Sequence, residues 1–184
     1  MAVFVRVFYH YHCRGRELIP EGPAIICAPH SSLIDPVLVA VAMGIKQKMN
    51  FMAKKELMKH RVVGWTLRKL GAFFVARGTA DVTAVKTTIK HLRDGHKVLI
   101  FPEGKRTDEA DYSAAKNGAV RIAARTGVPI IPVYIPRNKR FFRRTELIIG
   151  QSYFIQKPGP EDDQGDYYAQ CSQELMRKLE ELGR

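Results

Sequence analysis

The sequence predicts a single-domain α/β fold in which helices flank a mixed, largely parallel β-sheet. Short apolar runs rich in β-branched residues alternate along the chain with longer segments of helical periodicity. This alternation is typical of parallel sheets, because a helix returns the chain to the edge where the next parallel strand begins. The 184 residues, 46% of them hydrophobic, suffice for one domain with a substantial core. The domain is therefore expected to span residues 1–184.

Residues 1–22 are predicted to contain an N-terminal strand and the turns that follow it. Apolar and polar residues alternate from Val5 to Cys13, which is the period of a strand. The apolar start of this segment also suits contact with a membrane. His10 and His12 share one strand face, but no third ligand follows at a useful spacing, so no metal site is expected.

A buried strand is predicted at 24–28, where five apolar residues stand between two prolines. The next helix is predicted over 36–44, with a proline at its first position and Asp35 as its N-cap. His30 then lies on the loop at the carboxyl end of the strand. Open α/β sheets place their ligand crevices at such loops.

His30 and Asp35 are the candidate catalytic residues. A loop of this length lets the carboxylate reach one imidazole nitrogen, which fixes the tautomer and leaves the other nitrogen as a base. The spacing alone allows two other interpretations, a plain N-cap at Asp35 and a surface loop position for His30.

The remaining elements continue the alternation. Further strands are predicted at 49–53, 72–76, 97–101, 128–135, 146–150 and 153–155. Further helices are predicted at 58–70, from a cap at Thr79 or Asp81 to Arg93, at 116–125, and at 167–182 within the C-terminal segment 161–184. A proline inside the strand at 128–135 removes a backbone donor, so that strand is expected at a sheet edge or at a bulge.

Two more polar clusters directly follow predicted strands. The fourth strand is followed by Arg77, and the fifth by Glu103, Gly104, Lys105 and Arg106. Gly104 permits close approach of the backbone to a ligand, and the cations suit a phosphate. If these strands are parallel and adjacent, one edge of the sheet gathers a base, a carboxylate and several cations.

The charge distribution favours a polyanionic partner. The formal net charge is +12, and residues 161–184 contain seven acids and three bases, so residues 1–160 carry +16. A basic body suits nucleic acid, an anionic membrane or phosphorylated substrates.

Two segments are candidates for contact with a membrane or with the acyl donor. One is the basic amphipathic helix at 58–70, which carries Trp65. The other is the basic loop at 137–144, with Arg140, Phe141, Phe142 and Arg143. A surface helix packed on the sheet and a solvated hairpin loop are the alternative interpretations.

The sequence predicts neither a spanning helix nor a signal peptide. No run reaches the ~18 apolar residues that a spanning helix needs, and basic residues interrupt the N-terminal segment. Cys13, Cys27 and Cys171 form no C-x-x-C pair and are expected to be free thiols in a reducing compartment. We therefore expect a peripheral protein at the cytoplasmic face of the cell membrane.

Four segments of the chain resemble the glycerolipid acyltransferase family. They are PHSSLID at 29–35, GAFFVAR at 71–77, FPEGKRT at 101–107 and VPIIPV at 128–133. They occur in the family's order with family-like spacing, and the similarity is closest to short bacterial 1-acyl-sn-glycerol-3-phosphate acyltransferases. The resemblance implies a glycerolipid acyltransferase-like fold.

The resemblance also implies a reaction. His30, oriented by Asp35, would act as general base on the sn-2 hydroxyl of lysophosphatidate. The hydroxyl oxygen would attack an acyl thioester of coenzyme A or of acyl carrier protein, without an acyl-enzyme, to give phosphatidic acid. No cofactor and no metal are implied.

The same resemblance assigns the substrate-binding residues. Arg77, Gly104 and Arg106 match family positions that bind the glycerol phosphate, and Glu103 matches an acid that shapes the site or contacts the substrate. The family usually has a threonine after the glycine, where this chain has Lys105. Lys105 adds charge beside the expected phosphate, which would tighten binding or indicate a different acceptor headgroup.

Other functions remain open from the sequence. Within the family, the acceptor could be glycerol 3-phosphate or a lyso-ornithine lipid. A basic binding module would explain the charge but not His30 and Asp35, and no nucleic-acid motif is present, so no nucleic-acid partner is expected. A hydrolase would use the same base on water, but no G-x-S-x-G elbow supports an acyl-serine route.

Overall fold

Strands and helices alternate along the chain in the computed structural model, which describes residues 11–44, 47–75, 80–107, 115–139 and 142–184. The strands are β1 (Tyr11–Arg14), β2 (Ile25–Cys27), β3 (Met49–Lys54), β4 (Ala72–Val75), β5 (Lys97–Ile100), β6 (Ile130–Tyr134) and β7 (Thr145–Ile149). The helices are α1 (Asp35–Met43), α2 (Arg61–Lys69), α3 (Ala80–Arg93), α4 (Gly118–Thr126) and α5 (Gln164–Glu181). Two short 3-10 helices lie at Arg16–Leu18 and Lys55–Lys59.

The seven strands form one sheet in the order β1-β7-β6-β2-β5-β3-β4. Every neighbouring pair is parallel except β6 with β7. The predicted α/β fold with a mixed, largely parallel sheet is therefore confirmed. β2 lies between β5 and β6, and Cys27 at its end pairs with both Ile100 and Pro132. The loops after β2, β5 and β6 consequently leave the sheet at the same edge.

Helices cover both faces of the sheet. Residues of α1 and α2 pack on one face, and residues of α3, α4 and α5 pack on the other. All five residues from Ala24 to Ala28 are fully buried. A strand that is covered on both faces is a continuous apolar run, so β2 was predictable without any alternation of polar residues.

The strand at 128–135 was predicted at a sheet edge or at a bulge. The edge position is wrong, because β6 lies between β7 and β2, but the pairing beside the proline is irregular. β6 tolerates Pro132 in the sheet because its antiparallel pairing, on the side of β7, is interrupted at the proline. The antiparallel ladder with β7 begins at Val133, and on the other side of the proline Ile130 makes an isolated bridge to Tyr153. The missing proline N–H therefore falls in a gap of the ladder, while its carbonyl accepts from the N–H of Gly150 at 2.8 Å.

Several predicted boundaries also differ from the structure. The helix at 58–70 is divided into a 3-10 helix and α2, because His60 has an extended ψ of 99° between them. The strand at 153–155 is reduced to a single bridge between Tyr153 and Ile130. β5 ends one residue earlier than predicted, and residue 76 at the end of the predicted fourth strand lies outside the described residues.

The N-terminal strand is described from Tyr11 onwards, and residues 1–10 lie outside the described residues. Cys13, Cys27 and Cys171 are free thiols, and burial raises the pKa of Cys27. No helix within the described ranges is both long and apolar enough to cross a bilayer.

Candidate active site

The loop between β2 and α1 brings His30 and Asp35 into direct contact. Nδ1 of His30 lies 3.0 Å from Oδ2 of Asp35. The same carboxylate oxygen accepts the backbone N–H groups of Ser31 and Ser32, each at 2.8 Å. The predicted N-cap role of Asp35 is wrong, because α1 begins at Asp35 itself and Ile34 occupies the cap position. The carboxylate turns back to bind the loop that precedes the helix.

The imidazole of His30 is held on two sides. Asp35 engages Nδ1, and the ring stacks on Phe101 with a centroid distance of 4.0 Å and an interplanar angle of 16°. A carboxylate that accepts the Nδ1 proton leaves Nε2 with a free lone pair. The side chain of His30 is 18% exposed, so the imidazole is not fully buried.

Asp35 is fully buried, and it is ionised through its partners. Burial by itself would raise the pKa of Asp35. The hydrogen bond from His30, the charge and hydrogen bond of Lys139 and the backbone N–H of Ser32 together hold this pKa below its ordinary value. Nζ of Lys139 lies 2.9 Å from Oδ1 of Asp35, on the side of the carboxylate away from the imidazole.

Glu103 connects the loop after β5 to the base. Its Oε2 accepts the backbone N–H of His30 at 2.9 Å, and its Oε1 accepts Nη2 of Arg137 at 2.6 Å. Both carboxylate oxygens therefore have protein partners, and the side chain is buried. Of the two roles predicted for Glu103, this geometry is that of a residue that shapes the site.

Arg137 joins three segments around the site. Besides Glu103, its Nη2 contacts Oε1 of Glu180 on α5 at 2.9 Å, and its Nη1 donates to the carbonyl of Thr107 at 3.1 Å. The backbone N–H of Thr107 in turn donates to the carbonyl of His30 at 2.8 Å. The loops after β2, β5 and β6 are thus fixed to one another and to the C-terminal helix.

Exposed cations follow the buried Glu103. Gly104, Lys105 and Arg106 are exposed on the loop after β5, which is parallel to β2 and adjacent to it as the sequence analysis required. Gly104 has a φ of 68°, and a Cβ there would lie 2.7 Å from Cε of Lys116. Lys116 therefore lies beside this loop and is a third cation next to Lys105 and Arg106. The predicted binding residue Arg77 lies outside the described residues.

The candidate contact residues lie on two surface segments. Trp65 on α2 is 64% exposed, beside the exposed Val62. Phe142 and Arg143 are exposed on the loop between β6 and β7, where Phe142 has a φ of 60°. Arg140 and Phe141 of the same loop lie outside the described residues.

The sequence analysis missed four residues that surround the catalytic pair. They are Ser31, Arg137, Lys139 and Glu180. A usable signal was present for the two cations, because they follow β6, a parallel neighbour of β2. The sequence analysis instead assigned the basic loop at 137–144, which contains both cations, to contact with a membrane or with the acyl donor. Glu180 gave no signal, because its helix meets the site only in three dimensions.

The structure is an α/β fold with a paired histidine and aspartate at the carboxyl end of its sheet, and comparisons with known proteins identify its family. The profile of the acyltransferase family matches residues 10–136. The chain is 33% identical over 178 residues to a 1-acyl-sn-glycerol-3-phosphate acyltransferase of Bacillus subtilis, covering 91% of this chain and 85% of that protein. The protein described here belongs to the acyltransferase family.

Two further relatives support this assignment. The chain is 38% identical over 125 residues to a 1-acyl-sn-glycerol-3-phosphate acyltransferase of Streptococcus pneumoniae, and the match covers 67% of this chain but 46% of that protein. The crystal structure of the 1-acyl-sn-glycerophosphate acyltransferase PlsC from Thermotoga maritima superposes with a TM-score of 0.66 at 27% identity, covering 92% of this chain and 72% of that one.

Proposed function

We propose that the protein transfers an acyl chain from an acyl thioester to the sn-2 hydroxyl of 1-acyl-glycerol 3-phosphate, giving phosphatidic acid. The observation that carries the proposal is the contact between Nδ1 of His30 and Oδ2 of Asp35 at 3.0 Å, which leaves Nε2 open at the loop edge of the sheet. Membership of the acyltransferase family and the names of its relatives support the same activity.

His30 acts as a general base in this mechanism. Nε2 takes the proton of the acceptor hydroxyl while the oxygen attacks the thioester carbonyl. When the tetrahedral intermediate collapses, the thiolate leaves and receives that proton from the imidazolium. Asp35 stabilises the imidazolium through Nδ1. General-base catalysis of this kind contributes a factor of roughly 10²–10⁴ in rate.

The cations after β5 bind the phosphate of the acceptor. Gly104, Lys105 and Arg106 are exposed there, next to Lys116. A guanidinium binds phosphate with two parallel hydrogen bonds, and a lysine adds a point charge. Arg77, which follows β4 in the sequence, is the further binding residue that we propose. The donor is acyl-coenzyme A or acyl carrier protein, both of which suit a basic surface.

The protein binds the cytoplasmic face of an anionic membrane through α2. Val62 and Trp65 stand three residues apart on one exposed face, 78% and 64% exposed. Arg61 and Arg68 are exposed on the same helix, and Nζ of Lys69 lies 6.0 Å from the Trp65 ring centroid. An apolar face bordered by cations is typical of helices that lie in a membrane interface. The loop with Phe142 and Arg143 offers a second contact.

Sedimentation with vesicles tests this membrane contact. Vesicles containing phosphatidylglycerol should retain the wild-type protein, and Trp65→Ala should weaken the retention. Val82→Ala is the matched control, because Val82 is also exposed but lies on α3. Equal retention of all three proteins would contradict the assignment of α2.

The activity is tested by the release of free thiol from acyl-coenzyme A and from acyl carrier protein. Lysophosphatidate, glycerol 3-phosphate and no acceptor are compared. His30→Ala should lower acceptor-dependent release by a factor of about 10²–10⁴. His96→Ala is the control. Nδ1 of His96 also lies close to a side-chain oxygen, Oδ1 of Asn50 at 2.8 Å, but His96 is at the other end of β5. Release without any acceptor would instead identify a thioesterase, and full activity of His30→Ala would overturn the mechanism.

A further inference from the structure

A lysine beside the catalytic pair has no role in the mechanism above. Nζ of Lys139 lies 2.9 Å from Oδ1 of Asp35, and it donates to Oγ of Ser31 and to the carbonyl of Pro136, each at 2.7 Å. We propose that Lys139 is a positioning residue that keeps Asp35 ionised and in place, and thereby keeps His30 available as the base. This proposal rests on the proposed function of the same site.

Lys139 acts through Asp35 and has no contact left for a substrate. An ammonium group has three N–H donors, and three oxygens surround this one. The side chain is 4% exposed, in contrast to the exposed Lys105 on the neighbouring loop. The phosphate of an acceptor would therefore meet Lys105 rather than Lys139.

The two oxygens of Asp35 have different partners, which explains why the lysine is needed. Oδ2 accepts from the imidazole and from two backbone N–H groups. Oδ1 is buried and makes no hydrogen bond of good geometry within the described residues. Its charge is compensated by the ion pair with Nζ of Lys139 at 2.9 Å. Without the ammonium, this oxygen would be an uncompensated buried acceptor. A buried carboxylate in that state takes up a proton or rotates, and either change ends its control of Nδ1.

The charge of Lys139 also balances the pair. The ammonium of Lys139 offsets the charge of the buried carboxylate and contributes to the lowered pKa of Asp35. Without it, the pKa of Asp35 would rise. Asp35 would then lose its charge, and its hold on Nδ1 of His30, at a higher pH.

The other charged groups around the pair are occupied with one another. Glu103 approaches from the loop after β5 and contacts the backbone N–H of His30. Arg137, from the loop after β6, pairs with Glu103 and with Glu180 of α5. Among the residues that the structure describes, Lys139 is thus the cation paired with the side chain of Asp35. It lies three residues beyond the segment that matches the acyltransferase family, which ends at residue 136.

Three single variants test the proposal by steady-state kinetics with lysophosphatidate. Lys139→Met should lower kcat by about 10- to 100-fold, the scale of a misplaced catalytic group. The KM for the acceptor should stay within about threefold, because the side chain contacts no substrate. The acid limb of the pH profile of kcat should move to higher pH. Lys139→Arg, which keeps the charge, should recover part of kcat and restore the profile.

Lys97→Met is the matched control for loss of a buried lysine. Lys97 is 3% exposed, and its Nζ donates to the carbonyl of Gly22 at 2.7 Å, but it begins β5 at the other end of the sheet. We expect Lys97→Met to change the melting temperature and to leave kcat and its pH profile at wild-type values. Equal losses of kcat in both methionine variants would overturn the proposal.

A comparison of Asp35→Asn with the double variant keeps the test decisive if Lys139→Met alone does not fold. Asp35→Asn with Lys139→Met removes both buried charges together. If the lysine acts through Asp35, adding Lys139→Met to Asp35→Asn should change kcat by less than about threefold, since interacting residues are not additive. A full further loss would show that Lys139 acts by another route.

The outcomes separate this proposal from the proposed function. If the wild type releases no thiol with lysophosphatidate, the function itself is wrong. If the wild type is active and Lys139→Met retains its kcat and pH profile, only the positioning role is overturned.

Discussion

The two ends of the sheet each hold a histidine with a polar partner and a buried lysine, yet their charges differ. At the carboxyl end, His30 contacts the carboxylate of Asp35, and Lys139 pairs with the same carboxylate. The lysine and the acid neutralise each other in a place that water does not reach. Asp35 contacts Nδ1 of the histidine, so the lone pair of Nε2 is not used by this carboxylate.

At the amino end the same residue types have uncharged partners. Nδ1 of His96 lies 2.8 Å from Oδ1 of Asn50, and Nζ of Lys97 contacts a backbone carbonyl. An amide can orient an imidazole, but it carries no charge that would stabilise an imidazolium. Burial lowers the pKa of Lys97, and the charge of Glu21 opposes this shift only in part. The comparison teaches that the carboxylate, and not the histidine, distinguishes the reactive end of this sheet.

Exchanging the acid and the amide should have the largest effect on this comparison. Asp35→Asn should lower kcat by a factor of about 10²–10⁴, because an amide oxygen cannot stabilise the imidazolium or secure the tautomer as a carboxylate does. Asn50→Asp places a carboxylate beside His96 and should leave kcat near the wild-type value. Thiol release with lysophosphatidate measures both. A loss in Asn50→Asp as deep as that in Asp35→Asn would contradict the assignment of one reactive end.

The charged carboxylate at the carboxyl end of the sheet should also affect the stability of the fold at acid pH. The pKa of Asp35 lies below its ordinary value of 3.8 in the folded protein. The unfolded chain therefore binds the proton first, and the ionised Asp35 stabilises the fold above about pH 3.8. That stabilisation is lost as the pH falls through the lower folded pKa.

Urea unfolding at pH 7, 5 and 3 measures this loss. Asp35→Asn should be less stable than the wild type at pH 7 by about 3–5 kcal/mol, since Lys139 is left buried without its counter-ion. The difference should shrink between pH 5 and pH 3, where only the wild type protonates Asp35. The other carboxylates titrate in both proteins and cancel. A difference that stays constant with pH would show that Asp35 is not ionised in the fold.

Much of the carboxyl end was predictable from the sequence, because its residues follow strands. β2 is a continuous apolar run between prolines, so the position of His30 after it was clear. Glu103 and the cations after it follow β5 by the same rule. The resemblance to the acyltransferases supplied the chemistry for those positions. Adjacency of β2 and β5 came only from the structure, since strand order is a property of the whole sheet.

Two of the site residues that were not predicted, Arg137 and Lys139, lie on the loop after β6. Because of Pro132, β6 was predicted at a sheet edge or at a bulge. In the structure β6 lies inside the sheet, where a gap in its pairing with β7 accommodates the proline. Once β6 lies next to β2, the loop that contains Arg137 and Lys139 must leave at the reactive edge. Their role as buried partners of carboxylates then depends on side-chain packing, which no local pattern in a basic loop reveals.

The smallest expected effect is a change in KM when exposed cations at the two ends of the sheet are replaced. This change tests where the phosphate of the acceptor binds. Lys105 is exposed beside Gly104 at the carboxyl end. A second group of cations surrounds a cleft of about 390 Å³ between α3 and α4, at Lys86, Lys90, Arg93 and Arg125. If the acceptor phosphate lies near the base, Lys105→Thr should raise the KM for lysophosphatidate roughly two- to fivefold, the scale of an exposed ion pair.

Lys90→Thr is the matched control for this prediction, since it removes an exposed lysine from the cleft. We expect its KM to equal that of the wild type, and kcat to be unchanged in both variants, because neither lysine contacts the reacting atoms. The effect of Lys105→Thr should fade at high ionic strength, where exposed charges are screened. A rise in KM for Lys90→Thr alone would move the headgroup into the cleft. The sn-2 hydroxyl would then lie beyond the reach of His30, because α3 and α4 approach the amino end of the sheet at Arg93 and Arg125.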